Sequence, residues 1–420
     1  MRNTGYFLNK KVTIVGLARS GVACANLLHE MGACVSVSEL QDNPSIRRSV
    51  AKLASGLAQV ELGRHTRDFI AGRDLIVVSP GVTTQSPALV WAREAGIPIM
   101  SEIEAAWILC PATVVAVTGS GGKSTVTTLI GKAIDASGKK AFMCGNIGNP
   151  FSGEVARMSC DDYVSLEVSS FQLETIRAFK PKIAVMLNFN RNHLDRHKDM
   201  QEYLDAKKRI FLNQDQQDYL VLNMHDPVLK FLAHEAKSQV RFFSGQEGLN
   251  PNHEAVMAVG AILGITQELC MKVFSEFKGL EHRLEYVAQI NNIRFINDSK
   301  ATLAESTMWA IRSIASPIIL IAGGRDKRVE YQRILEAARN KVKEVILIGE
   351  AKEKIRDALE GFLKTDEAAT LDEAVRKAYA HASAGDTVVL SPMCSSFDMF
   401  ENYEERGRAF KHAVFDLVKK

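Results

Sequence analysis

A glycine-rich turn between an apolar stretch and a helix-like segment has the residue types that hold a polyphosphate. The run Val114–Val117 leads into Thr118-Gly119-Ser120-Gly121-Gly122-Lys123-Ser124-Thr125, and a helix is predicted over Val126–Ala136. Glycines let backbone N–H groups approach phosphate oxygens, lysine neutralises charge, and a hydroxyl can coordinate magnesium. The spacing Gly-x-x-Gly-Lys-Ser is two residues shorter than the common P-loop pattern. An ordinary strand–turn–helix corner therefore stays open as the alternative.

Polar side chains that suit a phosphate-bound magnesium ion follow two apolar stretches of the same region. Glu167 lies near the end of the predicted strand Tyr163–Val168, and His193 follows the predicted strand Ile183–Asn188. The carboxyl ends of parallel strands converge, and hydroxyl and carboxylate oxygens are ligands that magnesium prefers. Ser124 and Glu167 are therefore candidate metal ligands. Taken singly, the glutamate could be a solvated strand-end acid and the histidine a surface residue.

Two clusters in the last third of the chain combine an acid with a lysine after an apolar stretch. One is Asn297-Asp298-Ser299-Lys300-Ala301-Thr302, and the other is Gly323-Gly324-Arg325-Asp326-Lys327. Helix capping accounts for aspartate and serine, but it does not call for a lysine in both clusters. Basic groups at strand ends suit a carboxylate or phosphate ligand.

A third turn, Gly16-Leu17-Ala18-Arg19-Ser20-Gly21, follows the first predicted strand. It lacks the dinucleotide fingerprint Gly-x-Gly-x-x-Gly because Ala18 occupies the middle position. This disfavours a dinucleotide-dependent oxidoreductase. The turn is compatible with a helix N-terminus that receives a diphosphate, and equally with a corner that binds nothing.

The elements that would position these groups alternate between strand and helix, which predicts an α/β protein with parallel sheets. We expect three consecutive domains: a Rossmann-like domain (1–110), a P-loop ATPase-like domain (111–279) and a second Rossmann-like domain (280–420). Helices are predicted over Val22–Met31 and Asn252–Leu263, besides the one after the glycine-rich turn. The predicted strands, besides the two above, are Lys11–Val15, Ala33–Val37, Leu75–Val78, Ile97–Met100, Tyr219–Asn223, Ile293–Asp298, Pro317–Ala322, Val345–Ile348 and Thr387–Leu390.

Composition limits the class of protein. A chain of 420 residues, 46% hydrophobic and 24% charged, is that of a globular protein with two or three domains. A net charge of +3 disfavours a large nucleic-acid footprint, and no apolar run is long enough for a membrane span. Neither a signal-peptide core nor a Cys-x-x-Cys pair is present, and the seven cysteines are scattered. We expect reduced thiols and a cytoplasmic protein.

In its glycine-rich loop and in its three-domain order, the chain resembles the Mur ligase family. The stretch Leu166–Glu174, which reads Leu-Glu-Val-Ser-Ser-Phe-Gln-Leu-Glu, looks like the signature of the members that add D-glutamate. Further matches are His193-Leu194-Asp195-Arg196-His197, the Asn297–Thr302 cluster and Ser391–Phe400. Matches run from Gly16 to the C-terminus, so the resemblance covers nearly the whole chain.

The resemblance implies an ATP-dependent, amide-forming ligase of peptidoglycan precursor synthesis. ATP would phosphorylate the terminal carboxylate of UDP-N-acetylmuramoyl-L-alanine, and the amine of D-glutamate would attack the acyl phosphate. It implies ATP and two magnesium ions, a monomer, and neither a nucleic-acid nor a membrane partner. The alternatives are another amino-acid-adding ligase of the superfamily, such as a folylpolyglutamate synthetase-like enzyme, and a non-catalytic nucleotide-binding protein.

The resemblance also implies roles for individual residues. The implied catalytic residues are Lys123, His193, Lys207 and Lys300. The implied ATP contacts are Gly119, Ser120, Gly121, Gly122, Lys123, Ser124, Thr125, Asn252, Arg283 and Asp298. The implied metal ligands are Ser124, Glu167, His193 and Lys207, the last because it matches a lysine that this family carbamylates. The implied contacts of the UDP-substrate are Ser20, Glu39, Ser79, Gly81 and Asn146, and those of D-glutamate are Thr302, Lys327, Ser396 and Tyr403.

Overall fold

The computed structural model describes residues 2–57, 59–190, 196–244, 249–326 and 330–418, and its strands form three α/β sheets. The chain divides into two compact units, which meet in sequence between Phe277 and Lys278. The first unit contains two of the sheets and the second unit contains the third. Among the described residues, no helix is long and apolar enough to cross a membrane. The predicted domain boundaries after residues 110 and 279 stay predictions.

The first sheet consists of parallel strands with helices between them. Its elements are β1 (Lys11–Val15), α1 (Arg19–Glu30), β2 (Cys34–Glu39), α2 (Pro44–Val50), β3 (Gln59–Leu62), β4 (Leu75–Val78), α3 (Pro87–Glu94), β5 (Ile99–Ser101) and α4 (Glu102–Leu109). The strand order is β3-β2-β1-β4-β5. The order reverses between β1 and β4, and ligands of such sheets bind beyond the strand ends at that point.

Helix α1 begins inside the segment that the sequence predicts as a turn, three residues before the predicted start. Gly21 is a helical residue, and a Cβ atom at this position would lie 2.1 Å from the carbonyl oxygen of Gly16. The glycine is therefore needed for close approach between the helix and the end of β1, not for a reversal of the chain. This corrects the expected start at Val22.

The second sheet is also parallel. Its elements are β6 (Thr113–Thr118), α5 (Lys123–Ala136), β7 (Ala141–Gly145), β8 (Tyr163–Glu167), α6 (Ser170–Leu173), β9 (Ile183–Met186), α7 (Met200–Lys208), β10 (Tyr219–Asn223), α8 (Pro227–Leu232), β11 (Gln239–Phe243), α9 (Pro251–Leu263) and α10 (Gln267–Glu276). The order is β11-β10-β9-β6-β8-β7, so β6 lies between β8 and β9. The loops that follow these three strands meet at one edge.

The third sheet makes up the second unit and is mixed. Its elements are β12 (Glu285–Ile290), β13 (Ile293–Asn297), α11 (Ala304–Ser313), β14 (Ile318–Gly323), α12 (Leu335–Ala338), β15 (Val342–Ile348), α13 (Lys352–Leu359), β16 (Lys364–Glu367), α14 (Leu371–His381), β17 (Thr387–Leu390) and α15 (Tyr403–Asp416). The order is β12-β13-β17-β14-β15-β16, and β12 runs antiparallel to β13 while the other neighbours are parallel.

The strands that the sequence does not predict all lie at sheet edges. They are β3, β7, β11, β12 and β16. An edge strand has a neighbour on one side only, and here most of its side chains are exposed or partly exposed. Such a segment lacks the continuous apolar run that marks a central parallel strand.

Helix α4 joins the first sheet to the second through a buried carboxylate. Glu104 is 1% exposed, and its side chain accepts hydrogen bonds from three consecutive backbone N–H groups, those of Arg177 (2.9 Å), Ala178 (2.7 Å) and Phe179 (2.9 Å). These three residues follow α6 of the second sheet. The ionised carboxylate thus replaces the hydration of three amides that would otherwise be buried without partners.

We predict that Glu104→Gln lowers the free energy of unfolding of the first unit by about 3 kcal/mol. The side-chain NH2 of glutamine would face the backbone N–H groups of residues 177–179, and two donors cannot form a hydrogen bond with each other. Urea unfolding followed by circular dichroism measures the effect. The matched control is Glu94→Gln, since Glu94 makes an exposed ion pair with Arg67 and such pairs contribute little. Equal midpoints for the two variants would contradict the role of Glu104.

Candidate active site

The glycine-rich turn leads from β6 into the first turn of α5. Gly122 precedes the helix with a φ of +81°, and no described side chain caps the helix there. A Cβ atom at Gly122 would lie 2.5 Å from Oδ1 of Asn252. The glycine therefore lets α9 bring Asn252 against the turn. Glycine-rich turns that lead into a helix are common anion sites, and the phosphate site that the sequence predicts here stays a prediction.

The turn is held in place by the segment that follows β9, which the sequence analysis did not single out. The N–H of Gly121 donates to Oδ1 of Asn188 (2.8 Å), and Nδ2 of Asn188 donates to the carbonyl of Gly121 (3.1 Å). The hydroxyl of Ser120 donates to the carbonyl of Asn190 (2.9 Å) and lies 3.2 Å from the hydroxyl of Tyr203. The loop is thus positioned by the neighbouring strand end before any ligand binds.

Two lysines share one carbonyl oxygen beneath the loop. Nζ of Lys123 donates to the carbonyl of Gly119 (3.1 Å), and Nζ of Lys207 donates to the same oxygen (2.9 Å) and to the hydroxyl of Thr118 (3.3 Å). Lys207 is 1% exposed. Burial and the charge of Lys123 lower the pKa of Lys207 well below its ordinary value, while nearby Glu167 opposes this shift.

The adjacent lysine has the opposite environment. Lys208 forms ion pairs with Glu235 (2.7 Å) and Asp205 (3.5 Å) at the surface. The hydrogen bond that Lys208 donates to Glu235 raises the pKa of Lys208. Of the two neighbours, Lys207 is therefore the one whose environment favours the neutral amine, since its pKa is lowered while that of Lys208 is raised.

Glu167 has the properties of a magnesium ligand. It is 1% exposed, Oε1 accepts a hydrogen bond from Nδ2 of Asn146 (2.8 Å), and Oε2 has no hydrogen-bond partner among the described residues. Strand pairing places Glu167 opposite Val117, next to the start of the loop, and Ser124 is buried in the first turn of α5. The oxygen Oε2 of Glu167 is thus buried without a described donor, and such an oxygen suits a hard cation. The buried hydroxyl of Ser124 is of a second ligand type that such a cation accepts.

Two predicted site residues lie outside the described part of the chain. They are the proposed metal ligand His193 and the proposed D-glutamate contact Lys327. Their roles stay predictions.

The candidate UDP-substrate residues of the first sheet gather at the ends of β1, β2 and β4. The hydroxyl of Ser79 donates to the carbonyl of Gly16 (2.8 Å), and Glu39 accepts hydrogen bonds from the backbone N–H groups of Leu17 (2.6 Å) and Gln41 (2.9 Å). Ser20 lies in the first turn of α1, which no described side chain caps. These residues surround the point where the strand order reverses.

An open cleft of about 740 Å³ in the first unit is lined, among the described residues, by none of the predicted site residues. It lies between the loop after β4 and helix α7, and its lining combines Asp199, Glu202 and Asp205 with the cation Lys198. Arg196, another residue that the sequence analysis did not assign to the site, forms part of its wall.

In the second unit, the cluster after β13 is tightly bonded. Asp298 accepts hydrogen bonds from the hydroxyl of Ser391 (2.7 Å) and the N–H of Leu284 (3.2 Å), and burial raises its pKa to about 7. Nζ of Lys300 lies 5.7 Å from the centre of the Tyr403 ring. The structure thus brings two of the predicted third-domain residues together. Arg283 is next to Leu284 in the same loop.

A buried arginine that the sequence analysis missed connects the loops of this unit. Arg406 donates to the hydroxyl of Ser299 (3.0 Å), the carbonyl of Ser299 (2.9 Å) and the carbonyl of Cys394 (3.1 Å). It is 1% exposed, and burial lowers its pKa to about 10. Ser299 follows β13, and Cys394 precedes the predicted D-glutamate contact Ser396, which is also buried.

Comparison with known proteins gives matches along nearly the whole chain. Three family profiles match, described as "Mur ligase MurD-like, N-terminal domain" (residues 10–101), "Mur ligase middle domain" (117–283) and "Mur ligase, glutamate ligase domain" (282–394). These matches confirm the expected class of three consecutive α/β domains.

Individual proteins agree with the profiles. The UDP-N-acetylmuramoylalanine–D-glutamate ligase of Thermoanaerobacter sp. (strain X514) is 38% identical over 97% of this chain and 98% of its own. The ligase of the same name from Geotalea uraniireducens (strain Rf4) is 40% identical over 98% of each chain. The crystal structure of UDP-N-acetylmuramate-alanine ligase MurC from Thermotoga maritima has a TM-score of 0.62 at 17% identity, over 97% of this chain and 100% of its own. The structural match concerns the fold alone.

We predict that Lys207 reacts with carbon dioxide to form a carbamate, because its amine is buried beside the glycine-rich loop and this burial lowers its pKa. The amine forms a C–N bond to carbon dioxide and releases one proton. After incubation with ¹³C-labelled bicarbonate, NMR should detect a carbamate carbon in the parent and in Lys208→Ala, and not in Lys207→Ala. A signal that persists in Lys207→Ala and disappears in Lys208→Ala would contradict the assignment.

Proposed function

The chain belongs to the Mur ligase family, and we propose that it joins D-glutamate to UDP-N-acetylmuramoyl-L-alanine in an ATP-dependent reaction of peptidoglycan precursor synthesis. The whole-length similarity to ligases of that name supports the substrates. The observation that carries the chemistry is the loop at Gly119–Thr125, with Glu167 and the buried Lys207 beside it. The proposal includes a cytoplasmic monomer.

The proposed reaction has two steps. An oxygen of the alanine carboxylate takes the γ-phosphoryl group of ATP, and ADP leaves. The amine of D-glutamate then forms a C–N bond with the activated carbonyl carbon, loses a proton and displaces phosphate. The first step concentrates negative charge on the transferring group, so fixed positive charge and oriented N–H groups are what the protein must supply.

In this proposal the glycine-rich loop supplies both the fixed positive charge and the oriented N–H groups. The N–H groups at the start of α5 face the phosphates, and Lys123 adds a positive charge at the same place. Because Asn188 and Ser120 hold the loop through hydrogen bonds, little reorganisation is needed when the phosphates arrive. Asn252 contacts Gly122 and would lie near the bound nucleotide.

Two magnesium ions are part of the proposal, and they would neutralise phosphate charge and orient the phosphoryl group. Ser124 and Glu167 would hold one ion. His193 and a carbamate on Lys207 would hold the second. A lysine amine offers a metal ion a nitrogen atom, whereas magnesium prefers oxygen ligands, so carbamylation would convert Lys207 into a suitable anionic oxygen ligand.

The remaining site residues keep their proposed roles. The first sheet would bind the UDP-substrate through Ser20, Glu39, Ser79 and Gly81, with Asn146 from the second sheet. In the second unit, Arg283, Asp298 and Lys300 would serve the nucleotide and the transferring group. The candidate D-glutamate contacts are Thr302, Lys327, Ser396 and Tyr403.

The proposal is tested by the dependence of phosphate release on each substrate. With ATP and magnesium present, release should require both UDP-N-acetylmuramoyl-L-alanine and D-glutamate. Mass spectrometry should show the glutamate-extended product. Release with dihydropteroate and L-glutamate instead would favour a folylpolyglutamate synthetase-like enzyme. ATP binding without any substrate-dependent release would favour a non-catalytic nucleotide-binding protein.

We predict that Lys123→Ala lowers kcat by about 100-fold or more, because the loop lysine faces the phosphates and the fold does not depend on it. Lys132→Ala is the matched control, since Lys132 lies on the same helix with an exposed side chain. Circular dichroism should show that both variants are folded. A Lys123→Ala enzyme within threefold of the parent would contradict the role of this lysine.

A further inference from the structure

Arg196 reaches from the second sheet of the first unit to the loop that follows β4 of the first sheet. Its Nη1 donates to the carbonyl of Pro80 (2.7 Å), and its Nη2 donates to the carbonyl of Val82 (2.9 Å). Pro80 directly follows Ser79, and Pro80 and Val82 lie on either side of Gly81. The guanidinium group therefore holds the backbone of the loop that carries two of the candidate UDP-substrate contacts.

The same guanidinium group is fixed on its other side by the segment around α6. Nη2 lies 3.3 Å from Oε2 of Glu174, and the guanidinium carbon lies 4.2 Å from the centre of the Phe171 ring. The side chain of Arg196 is 15% exposed. Ion pair, ring contact and two charge-assisted hydrogen bonds leave the arginine little freedom to move independently of this segment.

The packing around the arginine explains why the loop needs a polar connection. A cavity of about 10 Å³, the size of a single water, lies between the loop at residues 78–84 and the segment at 171–175. Gly81 is exposed to solvent and adds no side chain to the contact. Apolar packing across this junction is therefore incomplete, and the hydrogen bonds of Arg196 bridge it.

We propose that Arg196 is a positioning residue that fixes the UDP-substrate loop at residues 79–82 relative to the ATP-binding sheet. This inference rests on the proposed function, because it needs that loop to bind the UDP-substrate. Arg196 orients the backbone at Ser79 and Gly81 and leaves the reacting atoms to other residues. Loss of the contact should weaken binding of the UDP-substrate and leave ATP binding intact.

Lysine is the informative replacement at this position. It keeps the positive charge and the apolar stem, but its single ammonium group cannot present the planar fork that meets two carbonyls at once. Arg196→Lys should therefore remain folded and lose the bridge between the carbonyls of Pro80 and Val82.

Arg209 offers a matched control. Arg209 also donates to two backbone carbonyls, those of Leu173 (2.8 Å) and Ile176 (2.5 Å). Both carbonyls lie at the end of α6, in the second sheet's part of the chain. Arg209→Lys removes an equivalent pair of contacts without touching the loop after β4.

The experiment measures binding by isothermal titration calorimetry with the full chain, using UDP-N-acetylmuramoyl-L-alanine in one series and a non-hydrolysable ATP analogue in the other. We expect Arg196→Lys to raise the Kd of the UDP-substrate about tenfold, as loss of one charge-assisted hydrogen bond would, and to change the Kd of the ATP analogue less than twofold. Arg209→Lys should change neither Kd by more than twofold. In steady-state kinetics, Arg196→Lys should raise KM for the UDP-substrate more than it lowers kcat.

Four outcomes would overturn the inference. If Arg196→Lys binds both ligands as the parent does, the arginine has no positioning role. If it weakens both ligands equally, or if Arg209→Lys shows the same selective loss, the effect is a general one on the unit. If the parent binds the ATP analogue and not the UDP-substrate, the proposed function itself fails, and the role of Arg196 fails with it.

Discussion

The carbonyl of Gly119 imposes the constraint on which the candidate active site depends. A loop that offers its N–H groups to a polyphosphate must turn other peptide groups inward, and the inward oxygen at Gly119 is satisfied by two lysines. Two ammonium groups on one oxygen repel each other, and Lys207 is the more deeply buried of the two. Burial first, and the charge of Lys123 second, lower the pKa of Lys207. The loop geometry and the lowered pKa of Lys207 thus have a common cause.

The central strands of each sheet could be predicted from the sequence, whereas β5 is the one edge strand among the described residues that was predicted. Strands such as Leu75–Val78 and Thr387–Leu390 are buried on both faces, so each is a continuous apolar run with bounds that match the prediction. The edge strand Lys364–Glu367 has no fully buried residue and contains two acids and a lysine, so its composition gives no strand signal. It is a strand because the backbone of β15 offers hydrogen bonds beside it, and this is tertiary information.

The same distinction applies to functional residues. Lys123 and Glu167 are candidates because their types and their positions after apolar strands suggest phosphate and metal chemistry, and these roles stay predictions. Asn188, Glu104 and Arg196 act instead on backbone groups of distant segments, at residues 121, 177–179 and 80–82. Residues of almost any type carry the same backbone donor and acceptor groups. The sequence therefore does not show which backbone group pairs with a distant side chain. The asparagine at the end of β9 was the one partial signal, since polar strand ends gather at the site edge of a parallel sheet.

The two sheets of the first unit, which the proposed function assigns to the UDP-substrate and to ATP, are connected by these backbone contacts. Glu104 ties helix α4 of the first sheet to the segment after α6, and Arg196 ties the loop after β4 to the same region. Both contacts are charge-assisted and largely shielded from water, so they resist small displacements better than an apolar contact of the same area. In the proposed reaction one region holds the acceptor carboxylate and the other holds the phosphoryl donor. An error of about 1 Å between reacting groups can cost about 100-fold in rate, so fixed distances between two substrate sites are themselves a contribution to catalysis. In that proposal Glu104 and Arg196 would serve the chemistry without touching a substrate.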